Sequence, residues 1–292
     1  MRITVMIPTR NRCEELGVTC SMLQRMRPQP DEVLIFADAC NDRTVEMVRT
    51  KFPDFYLIVS DKPAGSVGAR DEMLRAATGD IVLSLDDDSY PVQNDFFARL
   101  GSIFTAHPEA AVVTFPEVRD GNTTAAPDKT PKSPGHYVSA YANCGAAMRR
   151  TFYLKQPGFV RFFSHMYEEP DYALQCYAAG AGVWFEPSLS VRHRQSSNNR
   201  IPLRRHQLNA RNELWSVWLR CPWPWLPVVS CYRILRQFLH VVRQHPAWAL
   251  REPFWWLAAM NGLGQCLEAR RPVPFSTYLQ WLRLARNRRY TW

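Results

Sequence analysis

Asp86, Asp87 and Asp88 stand in a row directly after the apolar run Val82-Leu-Ser-Leu85. Three carboxylates so close repel one another, and holding them ionised calls for a cation or strong hydrogen-bond donors. Hard oxygen ligands of this kind suit Mg²⁺ or Mn²⁺, ions that also bridge diphosphates. The same letters fit a solvated acidic turn. They also fit an aspartyl phosphatase, whose strand ends in D-x-D with the first Asp as nucleophile. That chemistry is disfavoured, because several strand–helix units precede the motif and no obvious Lys with an Asp pair follows it.

A second cluster is Asp38-Ala-Cys-Asn-Asp42-Arg-Thr44. Asp38 closes an apolar run, where a carboxylate can accept from a pyrimidine imide. Asp42 or Thr44 can cap the helix that follows. A third is Gly65-Ser-Val-Gly68-Ala-Arg70-Asp71. Glycines before a helix let the backbone approach a diphosphate, and Arg70 adds charge in a planar fork. The block lacks G-x-G-x-x-G, so a dinucleotide fold is unsupported.

Glu168-Glu169-Pro170-Asp171 precedes a helix-like stretch. Pro in the first turn and acids at the positive end of the dipole suit a helix start. The same carboxylates could instead deprotonate an acceptor hydroxyl as a general base. His193, in Val191-Arg-His193-Arg-Gln-Ser196, follows a late strand. It reads either as a structural histidine or as a group closing the coordination of a metal held by Asp88.

The elements that must position these groups alternate. Apolar runs at 3–7, 33–37, 55–59, 81–85 and 111–115 read as strands, and 14–26, 44–51, 68–77 and 95–105 as helices. That rhythm predicts an α/β fold with a mostly parallel sheet covered on both faces. Ligands in such folds bind beyond the carboxyl ends of the strands, where each polar cluster lies. Residues 120–135 read as a mobile loop, 143–194 as a mixed second half, and the chain from about residue 200 as helical.

Composition bounds the rest. The chain has 292 residues, 46% hydrophobic and 22% charged, which is globular and not disordered. Its charge of +9 is uneven: from Arg200 onward stand 15 Arg, no Lys and three acids, a net +12, with nine of the ten Trp. The first 199 residues carry −3. Eight Cys occur with no C-x-x-C pair, so zinc-ribbon spacing is absent and free thiols in a reducing cytoplasm are expected. The opening residues read as a buried strand and not as a signal peptide. The most apolar stretch, 214–235, is broken by Arg220 and three Pro, which argues against a spanning helix.

Taken in order, these blocks resemble the family 2 glycosyltransferases of GT-A fold. The resemblance rests on Val5-Met-Ile-Pro-Thr-Arg-Asn11, the D-x-x-x-D-x-T block at 38–44, Gly68-Ala-Arg70, Leu85-Asp-Asp-Asp88, Asn143-Cys-Gly145 with Arg149-Arg150, Glu168 to Asp171, and His193. It spans roughly residues 1–215. The fold so implied is a single Rossmann-like, mostly parallel sheet flanked by helices. Residues 1–115 would form the nucleotide-sugar half and 136–215 the acceptor half, with 216–292 a basic, Trp-rich helical extension.

The resemblance also implies roles. Pro8, Thr9, Arg10 and Asp38 would hold the nucleoside, and Gly68 and Arg70 would face the diphosphate. Asp86 and Asp87 would lie by the sugar nucleotide, and Asp88 with His193 would bind Mg²⁺ or Mn²⁺. Glu169 occupies the base position, where the family usually reads Glu-Asp, and Asp171 is its rival. The reaction implied is a single inverting hexosyl or deoxyhexosyl displacement from a nucleoside-diphosphate sugar, UDP or dTDP favoured. The acceptor would be a glycan or lipid-linked hydroxyl, in cell-surface polysaccharide assembly. Competing readings are a non-catalytic sugar-nucleotide or partner-binding module and a nucleotidyltransferase.

In the extension, Arg233, Arg236, Gln237, His240 and Arg243 recur on one helical face. Ile234, Leu235, Phe238, Leu239 and Val242 recur on the other. Arg with bordering Trp suits an anionic membrane surface, here the inner leaflet. The alternatives are a packed helical subdomain with solvated Arg and nucleic-acid binding by the basic face. No nucleic-acid partner is expected.

Overall fold

The computed structural model describes residues 1–119, 134–194 and 201–286. The loop expected at 120–135 falls largely outside them, as do Gln195 and Ser196. The first half runs β1 (Ile3–Thr9), α1 (Cys13–Arg25), β2 (Glu32–Asp38), α2 (Thr44–Lys51), β3 (Tyr56–Ser60), α3 (Gly65–Ala76), β4 (Ile81–Ser84), β5 (Ser89–Pro91), α4 (Phe96–Ala106) and β6 (Ala110–Thr114). The second runs β7 (Glu117–Arg119), β8 (His136–Tyr137), β9 (Ala146–Arg149), α5 (Arg150–Tyr153), α6 (Glu168–Ala178), β10 (Gly182–Phe185) and β11 (Val191–His193). Five helices follow: α7 (Pro202–Arg220), α8 (Leu226–Gln244), α9 (Glu252–Asn261), α10 (Leu263–Glu268) and α11 (Phe275–Arg286).

Eight strands form the main sheet in the order β3-β2-β1-β4-β9-β6-β10-β8. The first four are mutually parallel. β9 is antiparallel to both its neighbours, and β10 is parallel to β6. The runs Ile81–Ser84 and Ala110–Thr114 are buried at every residue, because helices cover both faces and no side has to be polar. Met6, Leu34, Phe36 and Val82 pack on one face against Met73 and Leu74 of α3, Tyr172 of α6 and Trp215 of α7. Val5, Ile7, Ile35 and Leu83 pack on the other against Leu16 and Leu23 of α1 and Phe96 and Leu100 of α4. The two-residue period of the strands assigns neighbours in sequence to opposite cores.

A small second sheet, β5-β11-β7, lies at the carboxyl end of the first. Its register sets His193 opposite Ser89 and beside Arg119.

A boundary at 215/216 would cut α7, which runs unbroken to Arg220. Leu214, Trp215 and Leu219 of this helix share one buried cluster with Trp255, Ala259 and Cys266 and with the sheet. α8 is helical as its periodicity predicts. Both faces read from the sequence divide between inside and outside: Gln237 is buried and Arg233, Ile234 and Phe238 are half-buried, while Arg236, His240 and Arg243 are exposed. Glu213 of α7 accepts from Arg233, Arg236 and Gln237, and Leu235, Leu239 and Val242 are exposed. Among the described residues no helix is long and apolar enough to cross a membrane. All eight cysteines are unpaired.

Candidate active site

Parallel strands β1, β2 and β4 end at one edge of the sheet, and their next residues carry the polar clusters. Pro8, Thr9, Arg10, Asp38, Arg70, Asp86, Asp87 and Asp88 line a single cavity of about 300 Å³. A second cavity of about 400 Å³ adjoins it, lined by Asn143, Cys144, Glu168, Glu169 and Asn209. Ser66, Arg70, Asp86, His165, His193 and Arg205 line both.

The three aspartates take different surroundings. Asp86 is the most open and pairs with Arg70, which is itself held by Ser84 Oγ at 3.0 Å. Asp87 turns inward, where Thr9 Oγ1 donates to it at 2.9 Å and Arg12 Nε lies 3.1 Å away. Burial pushes the Asp87 carboxyl up to about 7, against the pull of Arg12 and Thr9. Asp88 bonds Arg12 Nη2 at 2.7 Å through one oxygen and lies 3.0 Å from His193 Nε2 through the other. Burial opposes its charge, but these partners win and hold it down at about 2.

His193 is the hinge of the cluster. Its Nε2 is also 3.9 Å from Asp86 Oδ2, and its Nδ1 meets Glu117 Oε1 at 2.5 Å. Burial disfavours imidazolium here; hydrogen bonds to Asp88, Cys144 and Glu117 outweigh it and raise the pKa to about 12. Ligand atoms of Asp86, Cys144 and His193 lie within 4.8 Å of one another. Carboxylate and imidazole donors, with a carboxylate behind the imidazole, fit a divalent ion. Asp88 does reach His193 as expected, but Arg12 occupies its other oxygen. The converging set therefore includes Asp86 and Cys144.

Two expectations for the nucleotide end meet a different geometry. Gly68 lies inside the first turn of α3 and lines neither cavity, and a Cβ there would meet only the Ala64 Cβ, at 3.4 Å. Gly65 is the glycine that the fold requires: its φ is +72° and a Cβ would fall 2.7 Å from Ser164 O. The N–H groups of Ala64 and Gly65 donate to Asp38 at 2.6 and 3.0 Å, and that of Val67 to Ser164 O. The start of α3 is thus tied to protein acceptors, and Arg70 and Arg205 are the arginines that line both cavities. Asp38 lines the cavity with both oxygens so engaged. Asp42 takes the capping role, accepting from the backbone N–H of Thr44 and of Cys13.

On the acceptor side, Asn143 binds both glutamates, its Nδ2 donating to Glu168 Oε1 at 3.2 Å and its backbone N–H to Glu169 Oε1 at 3.4 Å. Burial, and then the neighbouring Glu168, push Glu169 up to about 8. Burial raises Glu168 too, with Arg70 opposing. Asn143 Oδ1 and Glu168 Oε2 are buried with no hydrogen-bond partner among the described residues. Asp171 does not reach the cavity. It is 1% exposed and accepts from Ser216, Arg220 and Gln175 on the other side of α6, so the rivalry with Glu169 ends in a packing role for Asp171. Arg149 and Arg150 likewise donate to backbone carbonyls of α3, α4 and β6.

The segment before Glu168 is strained. Ser164, Met166 and Tyr167 have φ of +60°, +76° and +68°. Asn212 of α7 holds it, Nδ2 meeting the carbonyls of Phe163, His165 and Met166 at 3.2, 2.8 and 2.8 Å. Arg12, Glu117, His165 and Arg205 enter the site without having been singled out, and Cys144 enters from within the Asn143-Cys-Gly145 block with no role assigned to it. Arg12 directly follows the opening motif and offered a local signal. Glu117 and Arg205 stand in no motif, and only the small sheet and α7 bring them near.

Fold and site define the class of protein: a glycosyltransferase with a GT-A fold. The sequence model of the glycosyl transferase family 2 matches residues 4–173, and the chain belongs to that family. An uncharacterized glycosyltransferase of Bacillus subtilis, YwdF, is 30% identical over 122 residues, covering 40% of this chain and 45% of its own. The chain thus matches less than half the length of that relative. Among solved structures, a mannosyltransferase of Pyrobaculum calidifontis in complex with GDP-Man and Mn²⁺ superposes with a TM-score of 0.58 at 18% identity, over 96% of this chain and 87% of that one. TarS 1-349 of S. aureus in complex with UDP-GlcNAc superposes with a TM-score of 0.60 at 17% identity, over 95% and 83%. Likeness at this level speaks for the fold.

Proposed function

We propose that the protein transfers a sugar from a nucleoside-diphosphate sugar to an acceptor hydroxyl in one inverting step. The observation that carries this reading is the pair of adjoining cavities with Arg70, Asp86 and His193 on their shared wall. One cavity carries the groups suited to a nucleotide, the other a buried carboxylate pair.

Pro8, Thr9 and Asp38 border the nucleoside position, and Arg70 meets the diphosphate. Asp86, Asp88 and His193, with Cys144 beside them, would hold Mg²⁺ or Mn²⁺. Such an ion supplies Lewis-acid stabilisation of the departing diphosphate. Glu117 fixes the imidazole through its Nδ1. Glu169 Oε accepts the acceptor proton as that oxygen attacks the anomeric carbon, and its raised affinity for protons suits a base working near neutral pH. Uridine or thymidine is favoured: Asp38, already accepting one backbone N–H at each oxygen, keeps a further lone pair for an imide at the cavity wall. A glycan or lipid-linked acceptor in cell-surface polysaccharide assembly, met at the inner leaflet, completes the reading.

A thermal-shift series with nucleoside diphosphates and their sugars, with and without Mn²⁺, tests it. A true sugar donor raises the midpoint with concentration, by linkage, and does so more with Mn²⁺. Slow Mn²⁺-dependent hydrolysis of the same compound without acceptor is expected alongside. Binding without any turnover would instead support a non-catalytic module.

A further inference from the structure

An amphipathic helix on a water-soluble domain normally turns its apolar stripe inward. α8 does so only in part: Gln237 and Val241 are buried and Arg233, Ile234 and Phe238 half-buried, while a second apolar row stays outside. Glu213, buried in α7, draws Arg233 Nη1 to 2.8 Å, Arg236 Nη2 to 2.6 Å and Gln237 Nε2 to 2.6 Å. These bonds lock the rotation of the helix. Val228, Tyr232, Leu235, Leu239 and Val242, spaced four, three, four and three apart, are left as one exposed stripe; Val228 is 63% and Leu235 55% exposed.

The neighbouring helix also leaves apolar residues outside. Glu252, Trp255 and Ala259 are the buried side of α9. Phe254, Leu257 and Met260 are exposed, as is Leu250 two residues before the helix, at 91%. Phe238 of α8 and Trp256 of α9 lie 6.4 Å apart, ring to ring, so the two helices are neighbours. Exposed Trp223 and Trp225 stand where α8 begins. Isolated apolar side chains on a surface are ordinary; a row of them on each of two neighbouring helices marks a docking face.

Charge selects the occupant. Among the described residues after 220, Arg236, Arg243, Arg251, Arg271 and Arg283 are exposed, against Glu268 as the one exposed acid. A second copy of this chain would bring arginine rim against arginine rim. An anionic bilayer offers phosphates to the rim and acyl chains to the stripes, with Trp at the boundary. We propose that the outer face of α8 and α9 lies in the plane of an anionic membrane. A lipid-linked acceptor would give this docking its purpose, and to that extent it rests on the proposed function; its test does not need turnover.

The full chain is centrifuged with vesicles of phosphatidylcholine alone and of phosphatidylcholine with phosphatidylglycerol. Co-sedimentation with the anionic vesicles, weakened by salt, is expected. The pair Leu235→Glu with Leu239→Glu should reduce partitioning about tenfold or more, as lost burial of two leucines implies. Arg243→Glu with Arg251→Glu should also reduce it. The thermal shift with sugar nucleotides, read on the same variants, should stay as in the parent; its absence in the parent overturns the functional proposal and leaves the membrane face standing. No sedimentation of the intact chain with either vesicle overturns the membrane face. So does a vesicle-free dimer that Leu235→Glu with Leu239→Glu dissociates, which assigns the stripes to a second copy.

Discussion

Asp171 and Arg220 form a buried two-point ion pair. Arg220 Nη2 donates to Asp171 Oδ2 at 2.9 Å and Nε to Oδ1 at 3.1 Å, and the residues are 1% and 3% exposed. The pair bolts α6, which begins with the candidate base, to the last turn of α7.

Removing one partner leaves the other charged and dry. Asp171→Ala should lower unfolding stability by roughly 3–5 kcal/mol, the usual result of breaking a buried pair. Urea unfolding measures it. If Asp171→Asn instead kept its stability and abolished turnover, the carboxylate would belong to the chemistry.

Glu169→Gln is the complementary test. It removes the proton acceptor and keeps the shape, so the fold and the binding of a sugar nucleotide should persist. Turnover should fall by ~10²-fold or more. Parent-like turnover in steady-state assays would shift the role to Glu168.

The pH dependence follows from the same residue. Its folded pKa of about 8 lies above the ordinary 4.5, so the base ionises late. Turnover should rise with pH up to and through about 8. Stability has the opposite sign: the fold favours the protonated form, so this contribution is full below about 4.5 and lost as pH climbs through about 8. Glu169→Gln should flatten both profiles. A flat rate profile in the parent would count against the assignment.

Glu117 touches His193 from behind, at the nitrogen that faces away from Asp88. Glu117→Gln should weaken Mn²⁺ binding about 10- to 100-fold, the common effect of losing such a support. Electron-paramagnetic titration of free Mn²⁺ reads this directly. His193→Ala should weaken it further; unchanged binding in both would remove His193 from the metal site.

Asn212 bonds three carbonyls of the strained turn before Glu168. Asn212→Ala should cost about 1–3 kcal/mol, the range for stranding buried polar groups. Amide exchange across 163–169 should accelerate, and KM should rise with it. Parent-like exchange there would show that the turn holds itself.

Much of this architecture was legible in the letters. Runs such as Ile81–Ser84 and Ala110–Thr114 announce strands buried on both faces, and the expected strand and helix positions agree with the structure to within a few residues. Acids following strand ends mark the carboxyl edge of a parallel sheet, because that edge is where such strands present their next residues. Pairings between distant segments were not legible. Glu117 reaches His193 through the small sheet, and Asp171 turns from the cavity because Arg220, 49 residues on, waits behind it. α8 shows the limit most plainly. Helical periodicity gave two faces, and the structure divides each of them. The rotation was decided by tertiary partners: desolvating Glu213 unpaired is costly, so Arg233, Arg236 and Gln237 are drawn to it, while Leu235, Leu239 and Val242 stay outside.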